Sequence, residues 1–224
     1  MALVADFIRA VGSSRHAQHD STLATAFRGH ANCTWELMPS LFRASDTRGI
    51  GNVDALERWM RFATPVVQQW PQNAVEWLAL AQHNGIPTGL LDWTLNPLVA
   101  LFFASEQTPD GDNGCVWSLD TAECEQFTHT LMVSPFSDRT APAFLPILGA
   151  NARARAQFGV MTLHGQTSAN AREALPGKAL TRFDVAAGDK HLIRRALGVL
   201  GVTDRTVFPD LTVAAAQFMS RHIG

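Results

Sequence analysis

Apolar residues recur at helical spacing in several stretches of this chain. The first of these predicts a helix or a pair of helices and contains Leu56, Trp59, Met60, Ala63, Val67 and Trp70. Pro65 is expected to break or kink it, because proline lacks the backbone N–H that a helix interior needs. The spacing also predicts a helix over 74–82 that ends at Asn84-Gly85, and an amphipathic helix over 192–200 that ends at Gly201.

One further predicted helix is apolar on every side. Asn96-Pro97 is a helix-start signal, since asparagine caps a first turn and proline fits its first position. Leu98–Ser105 follows with the sequence LVALFFAS, so we expect this helix to be buried all round. Its amino end would then place unpaired N–H groups and a positive dipole end inside the protein, which predicts an anion site. A last helix is predicted from Phe208 to about Arg221.

Shorter apolar runs predict strands. They cover 23–28, 115–119, 158–164 and 179–185. Strands and helices are interspersed without a regular βαβ alternation, which favours an α+β fold. Neither 107–114 nor 134–149 has the composition of a linker, so we expect a single domain over 23–224 after a helical or irregular lead-in over 1–22.

Composition narrows the class of protein. The chain has 224 residues, of which 46% are hydrophobic and 17% charged, ample for a folded core. A net charge of -2 gives no bulk support for nucleic-acid binding, although it leaves room for a local basic groove. The cysteines Cys33, Cys115 and Cys124 form no C-x-x-C and fit free thiols in a reducing compartment. No signal peptide or membrane span is evident, so we expect a soluble, cytoplasmic protein.

The first candidate for chemistry is the run Phe27-Arg28-Gly29-His30. The guanidinium of Arg28 suits a carboxylate or phosphate, and a glycine beside it permits close approach of a ligand. The structural alternative is an arginine paired with a carboxylate.

The second candidate is Gln82–Pro97, interpreted as a polar turn between two helices. It contains His83, Asp92 and Thr94, the last two directly before the buried helix. The structural alternative is that Asp92 and Thr94 cap that helix and His83 is a packing residue.

The third candidate is Arg153–Gly159, where Gln157 can both donate and accept hydrogen bonds. A solvated helix end is the structural alternative. We expect the three segments to form one polar pocket. No G-x-S-x-G, P-loop, G-x-G-x-x-G or H-E-x-x-H motif is present, and His16 and His19 lie in a polar stretch, so we expect no metal site.

Together these segments resemble the FRG domain, a family named for a Phe/Tyr-Arg-Gly motif. The resemblance spans roughly 23–215. It rests on Phe27-Arg28-Gly29, Trp35, Pro39–Arg43, the run from Gln82 through Ala104, Arg155–Gly159 and Phe208–Leu211. The chain departs from the family at His30, where glutamine is more usual.

The order of these motifs is similar to that of the NAD-dependent ADP-ribosyltransferase fold. The resemblance implies a mixed or antiparallel central sheet split by helices, with NAD as the substrate. Arg28 would then hold the pyrophosphate or nicotinamide ribose, Thr94 and the helix start at Pro97 the second position, and Gln157 the third. Because glutamine cannot act as a general base, Asp92 would supply the carboxylate. The NAD contacts predicted beside Arg28 are Gly29, Gln82, Thr88, Trp93, Thr94, Asn96 and Phe158, with Trp93 or Phe158 stacking on a ring.

Three functions remain open at this point. The first is an ADP-ribosyltransferase-like enzyme or toxin-type defence effector, which would cleave the nicotinamide–ribose bond and modify a protein or nucleic-acid acceptor. A neighbouring protein could neutralise such an effector. The second is a module that senses a nucleotide or another phosphorylated ligand without turnover. The third is a hydrolase or nuclease in which His83 and Asp92 act as a base and its orienting partner.

Overall fold

The computed structural model describes residues 1–13, 25–43, 48–126, 134–146, 155–209 and 219. Its centre is one six-stranded antiparallel sheet with the strand order β4-β5-β2-β1-β3-β6. The strands are β1 (Thr25–His30), β2 (Leu90–Thr94), β3 (Gly114–Asp120), β4 (Ala143–Leu145), β5 (Gly159–Leu163) and β6 (Leu180–Val185). Helices accompany this antiparallel sheet, which confirms the α+β prediction.

The described helices lie between and around the strands. They are α1 (Ala2–Gly12), α2 (Ser40–Arg43), α3 (Val53–Ala63), α4 (Ala74–His83), α5 (Pro97–Ala104), α6 (Ala171–Ala174), α7 (Lys190–Val199) and α8 (Asp204–Val207). In the described residues, no helix is long and apolar enough to span a bilayer. The three cysteines are free thiols, as predicted.

The sheet is nearly divided between β1 and β2. On one side, β1 pairs with β3 from Thr25 to His30, and on the other β2 pairs with β5 along its whole length. Between them, β1 and β2 share the single register pair Phe27↔Thr94. Beyond this pair the two strands separate, and both Arg28 and Asp92 lie on the separating side. The split therefore places these two residues at an opening in the sheet.

Helix α5 packs directly on β1 and β3. A Cβ atom on Gly29 would lie 1.9 Å from the Ala100 carbonyl oxygen, and one on Gly114 would lie 2.0 Å from that of Ala104. Glycine is needed at both positions because the helix backbone occupies the space of a side chain. Helix α5 contributes Val99, Ala100, Leu101, Phe102 and Ala104 to the buried set, while Pro97, Leu98 and Phe103 are partly buried, so the predicted burial is confirmed for most of the helix.

Three groups of buried apolar side chains stabilise this arrangement. One lies between α1, α5 and α7 and includes Phe7, Leu101 and Leu197, so the N-terminal helix is part of the core. A second includes Trp93 and Trp117. A third packs α3 and α4 against β2, β4 and β5.

Most predicted elements are present. The helices expected over 74–82 and 192–200 are α4 and α7, and α3 ends before Pro65. Gly85 has the left-handed φ of 83° that closes α4. The strands expected over 115–119, 158–164 and 179–185 are β3, β5 and β6, with shifted ends. Of the first predicted strand, 23 and 24 lie outside the described residues, as does most of the last predicted helix.

The interpretation of 82–97 as a polar turn between helices is wrong. Leu90–Thr94 forms β2, a central strand that pairs with both β1 and β5. Its alternation is clear only in three dimensions, because Leu91 and Trp93 face one core group while Asp92 between them is exposed. The short strand β4 was not predicted either.

Candidate anion site at the split between β1 and β2

Arg28 is held in a fixed orientation at the split. Its Nε donates to Nε2 of His30 at 3.0 Å, and its Nη1 donates to the backbone carbonyl of Asp92 at 2.6 Å. Both acceptors are uncharged groups, and no carboxylate of the described residues forms an ion pair with the guanidinium. Burial lowers the pKa of Arg28 to about 10, which leaves the side chain protonated at neutral pH.

His30 serves this arrangement as a neutral acceptor. Its side chain is buried, and burial together with the charges of Arg28 and Arg43 lowers its pKa to about 3. Because Nε2 accepts from Arg28, the proton of the neutral ring is on Nδ1. Among the described residues, that buried Nδ1 makes no well-aligned hydrogen bond, although the backbone of Trp35 acts on the ring and opposes the lowering of its pKa.

A chain of side-chain hydrogen bonds fixes Asp92. The buried Thr88 hydroxyl donates to Oε1 of Gln82 at 2.5 Å, and Nε2 of Gln82 donates to Oδ2 of Asp92 at 2.8 Å. The carboxylate of Asp92 is exposed at the split and retains its second oxygen for other contacts. Three of the predicted site residues thus form one unit next to Arg28.

Arg43 at the end of α2 is a second cation at the split. The backbone N–H of Leu41 donates to the Thr88 carbonyl at 3.3 Å. Helix α2 is thereby attached to Thr88, the residue whose hydroxyl donates to Gln82. The Arg43 Nε donates to the Met38 carbonyl at 2.5 Å. Partial burial lowers the pKa of Arg43, whereas the nearby charge of Asp92 acts in the opposite direction.

Neither arginine forms a salt bridge with any carboxylate of the described residues. Counted over the described residues, the two guanidinium groups and one carboxylate give the split a net positive charge. Like charges at close range raise each other's cost of burial, and an anion placed between them would remove that cost. The arrangement is therefore suited to an anionic ligand such as a phosphate.

The start of α5 does not form the expected anion site. The Asn96 side chain accepts from the Leu98 N–H at 2.9 Å, and the backbone carbonyl of Asn96 accepts from Val99 and Ala100. Thr94 Oγ1 in turn accepts from the Asn96 N–H at 3.0 Å. The predicted unpaired N–H groups are already satisfied. Asn96 is therefore the N-cap, as predicted, and Thr94 supports it, which is the Thr94 part of the structural alternative. Asp92 does not cap the helix, because its carboxylate accepts from Gln82.

Two other predicted NAD contacts are also explained by the fold. Trp93 is 3% exposed, and its indole N–H donates to the Thr162 hydroxyl at 2.9 Å inside the core. Of the two rings predicted to stack on a ligand, Trp93 or Phe158, that of Trp93 is therefore not accessible. Gly29 was predicted to permit ligand approach, but the atom it lacks would meet the backbone of α5.

The third segment reaches the site through its backbone. The Gln157 carbonyl accepts from the Thr94 hydroxyl at 2.5 Å, while its side-chain amide donates to the Val207 carbonyl at 3.2 Å. The amide is thereby directed to α8 and makes no hydrogen bond with Arg28 or Asp92, all three being described residues. Phe158 follows with a left-handed φ of 50° and a 53% exposed side chain, so its ring remains available to a ligand.

His83 lies exposed at the end of α4. Within the described part of the chain it has no hydrogen bond to Asp92, whose carboxylate is held by Gln82 instead. A base with an orienting carboxylate is therefore not formed by this pair. Arg153, His16 and His19 lie outside the described residues, and no group of three His, Cys, Asp or Glu side chains suited to a metal ion occurs within them.

Sequence reasoning did not single out His30 and Arg43 as site residues. Arg43 was visible only as the end of the Pro39–Arg43 motif, and nothing in its spacing indicates that α2 is attached to Thr88. His30 was visible as a departure from the resemblance. Its value as a neutral acceptor depends on burial, which a single sequence does not reveal.

Comparison with known proteins gives one match. The sequence model of the FRG domain matches residues 24–113 and so supports the FRG family for this part of the chain. The matched region includes Arg28, Arg43, Gln82, Thr88 and Asp92 and ends directly before β3. No curated protein and no solved structure matches the chain.

Proposed function

We propose that this protein binds NAD at the split between β1 and β2 and cleaves the nicotinamide–ribose bond, as an ADP-ribosyltransferase-like enzyme. The observation that carries the proposal is the fixed guanidinium of Arg28, which forms no salt bridge with a described carboxylate and lies near the charge of Asp92. The arginine supplies donors for the phosphates. The carboxylate supplies the negative charge that the reaction needs.

The reaction assigns a distinct task to Asp92. When the bond between the ribose anomeric carbon and the pyridinium nitrogen breaks, its electron pair leaves with neutral nicotinamide. The ribose is left as an oxocarbenium ion, which a carboxylate at the split stabilises. A nucleophile on the acceptor then attacks the anomeric carbon and loses its proton. Asp92 is suited to this task because Gln82 fixes one of its oxygens and leaves the other exposed.

Gln157 does not stabilise the oxocarbenium ion in this proposal. A glutamine amide carries no negative charge and cannot accept a proton as a base. Its side chain is also engaged with the Val207 carbonyl. Phe158 is retained as the aromatic side chain that packs on a ring of the ligand, because more than half of its surface is exposed.

A second function is favoured by one observation. The Gln157 side chain, at the third position of the ADP-ribosyltransferase resemblance, carries no charge and donates to the Val207 carbonyl, so Asp92 would have to act without a second catalytic group from that segment. The same site at the split would then act as a nucleotide sensor that binds its ligand without turnover. The two functions share the binding site and differ only in product formation.

Free nicotinamide is the product that separates them. Incubation of NAD with the wild-type protein is expected to release nicotinamide, and Asp92→Asn is expected to lower the rate by at least about 100-fold while NAD still binds. Asp6→Asn on the exposed face of α1 is the matched control and should react like the wild type. Binding of NAD without nicotinamide release would favour the sensor. Equal release by Asp92→Asn and the wild type would contradict the task given to Asp92.

A further inference from the structure

We propose that Arg43 is a second phosphate-binding side chain, so that the site selects ligands with two linked phosphate groups over ligands with one. This inference rests on the proposed function, because it concerns the same site. It goes further in naming Arg43 as the residue that recognises the second phosphate group.

The first argument is where α2 is attached. The N–H of Leu41 donates to the Thr88 carbonyl. The Thr88 hydroxyl donates to Gln82, whose amide donates to the carboxylate of Asp92. The backbone carbonyl of Asp92 in turn accepts from Arg28. This continuous chain of hydrogen bonds connects the helix that carries Arg43 to Arg28. The two guanidinium groups are thereby supplied from different elements to one opening.

The second argument is how the two arginines are held. Arg28 is fixed through both Nε and Nη1, whereas Arg43 is fixed through Nε alone. The Nη atoms of Arg43 form no hydrogen bond with other described residues. An arginine held at Nε still presents the outer edge of its guanidinium, which can bind two oxygen atoms at once.

The third argument is charge. The positive charge of Arg43 acts on both Arg28 and His30, where it lowers the pKa of each, so the groups are close enough to interact. Asp92 is exposed and its carboxylate is not in salt-bridge contact with either arginine. One phosphate group can bind the outer edge of one guanidinium through two of its oxygen atoms. A diphosphate would present one phosphate group to each.

The test compares ADP with AMP, which share every group except the second phosphate. Calorimetric titration of both into the wild type is expected to show tighter binding of ADP. Arg43→Ala should weaken ADP binding by about 10- to 100-fold and change AMP binding by less than about threefold. Arg9→Ala, which removes an exposed arginine from α1, is the matched control and should preserve the wild-type difference.

An equal loss for ADP and AMP in Arg43→Ala would overturn the inference, as would an unchanged preference for ADP. The absence of that preference in the wild type would overturn it as well. If Arg43→Ala fails to fold, as judged by circular dichroism, Arg43→Gln keeps the side-chain length and is subject to the same criterion. Failure of the proposed function would give a different result: NAD itself would not bind, or its binding would not depend on Arg28.

Discussion

The Nε of Arg28 lies 3.0 Å from Nε2 of His30, two residues along the same strand. A neutral histidine thus orients the arginine without cancelling its charge. A carboxylate in the same position would hold the arginine equally well, but it would compete with any anionic ligand. The pair therefore explains how the split can be both ordered and positively charged.

Replacement of His30 tests this orienting contact. His30→Gln keeps an acceptor for Arg28 and is expected to bind NAD within about threefold of the wild type. His30→Leu removes the acceptor and should weaken NAD binding by about tenfold, because Arg28 would lose one of its two fixed contacts. Titration calorimetry on the two variants gives the comparison. Equal affinities would show that His30 does not position Arg28.

The buried, neutral His30 also makes stability depend on pH. Its pKa is about 3 in the folded protein and about 6.5 in an unfolded chain, so both states are neutral above that upper value. Between these values the unfolded chain binds a proton that the folded protein does not, and the free energy of unfolding therefore decreases as the pH falls. At pH 5 the loss from His30 is about 2 kcal/mol relative to pH 7.

His30→Gln removes this titrating group. The difference between the free energies of unfolding at pH 7 and pH 5 should then shrink by about 2 kcal/mol, as measured by urea denaturation. His164, whose pKa burial lowers to about 4, would continue to contribute in the variant. An unchanged difference would mean that His30 is not buried in its neutral form.

Gly29 is expected to be a stability residue more than a ligand contact. Gly29→Ala would place a methyl group into the α5 backbone and should lower the free energy of unfolding by about 3 kcal/mol. Gly188→Ala is the control, because a Cβ there would meet no atom within 4 Å. Thermal and urea unfolding of both variants gives the comparison. Similar stability of the two would contradict the packing of α5 on β1.

Phe158 separates strain from ligand binding. A non-glycine residue with a φ of 50° is strained, so Phe158→Gly should stabilise the protein by about 1 kcal/mol. Phe158→Ala keeps the strain and should not be stabilised. Both variants lose the ring and should bind NAD about 2- to 10-fold more weakly if it packs on the ligand. Unchanged NAD affinity in both would remove Phe158 from the site.

Much of the helical framework follows from local signals. The Asn96-Pro97 start and the apolar run after it predict α5, because the residues that cap the helix and those that are buried are adjacent in sequence. Strand β2 could not be predicted in the same way. Its sequence LLDWT has an apolar pair and a single exposed carboxylate, and it becomes a strand through its partners β1 and β5.

In the candidate site, too, some features can be predicted from local sequence and others depend on tertiary pairing. Arg28 can be predicted as a site residue because a guanidinium binds anions and the glycine beside it suggests close approach of a ligand. Asp92 can be predicted because it lies in a run rich in polar residues. The opening between them depends on β1 and β2 sharing only Phe27↔Thr94, a matter of tertiary pairing. The predicted ligand contacts of Thr94 and Asn96 have a local explanation instead, because their side chains accept from the backbone N–H groups of Asn96 and Leu98.

The central claim is that NAD binds at the split through Arg28, and calorimetric titration of NAD tests it most directly. The wild type is expected to bind, Arg28→Ala to bind about 10- to 150-fold more weakly, and Arg9→Ala to match the wild type. Circular dichroism and thermal unfolding would establish that Arg28→Ala is folded. No binding at millimolar NAD, or equal affinity in the wild type and Arg28→Ala, would contradict the claim.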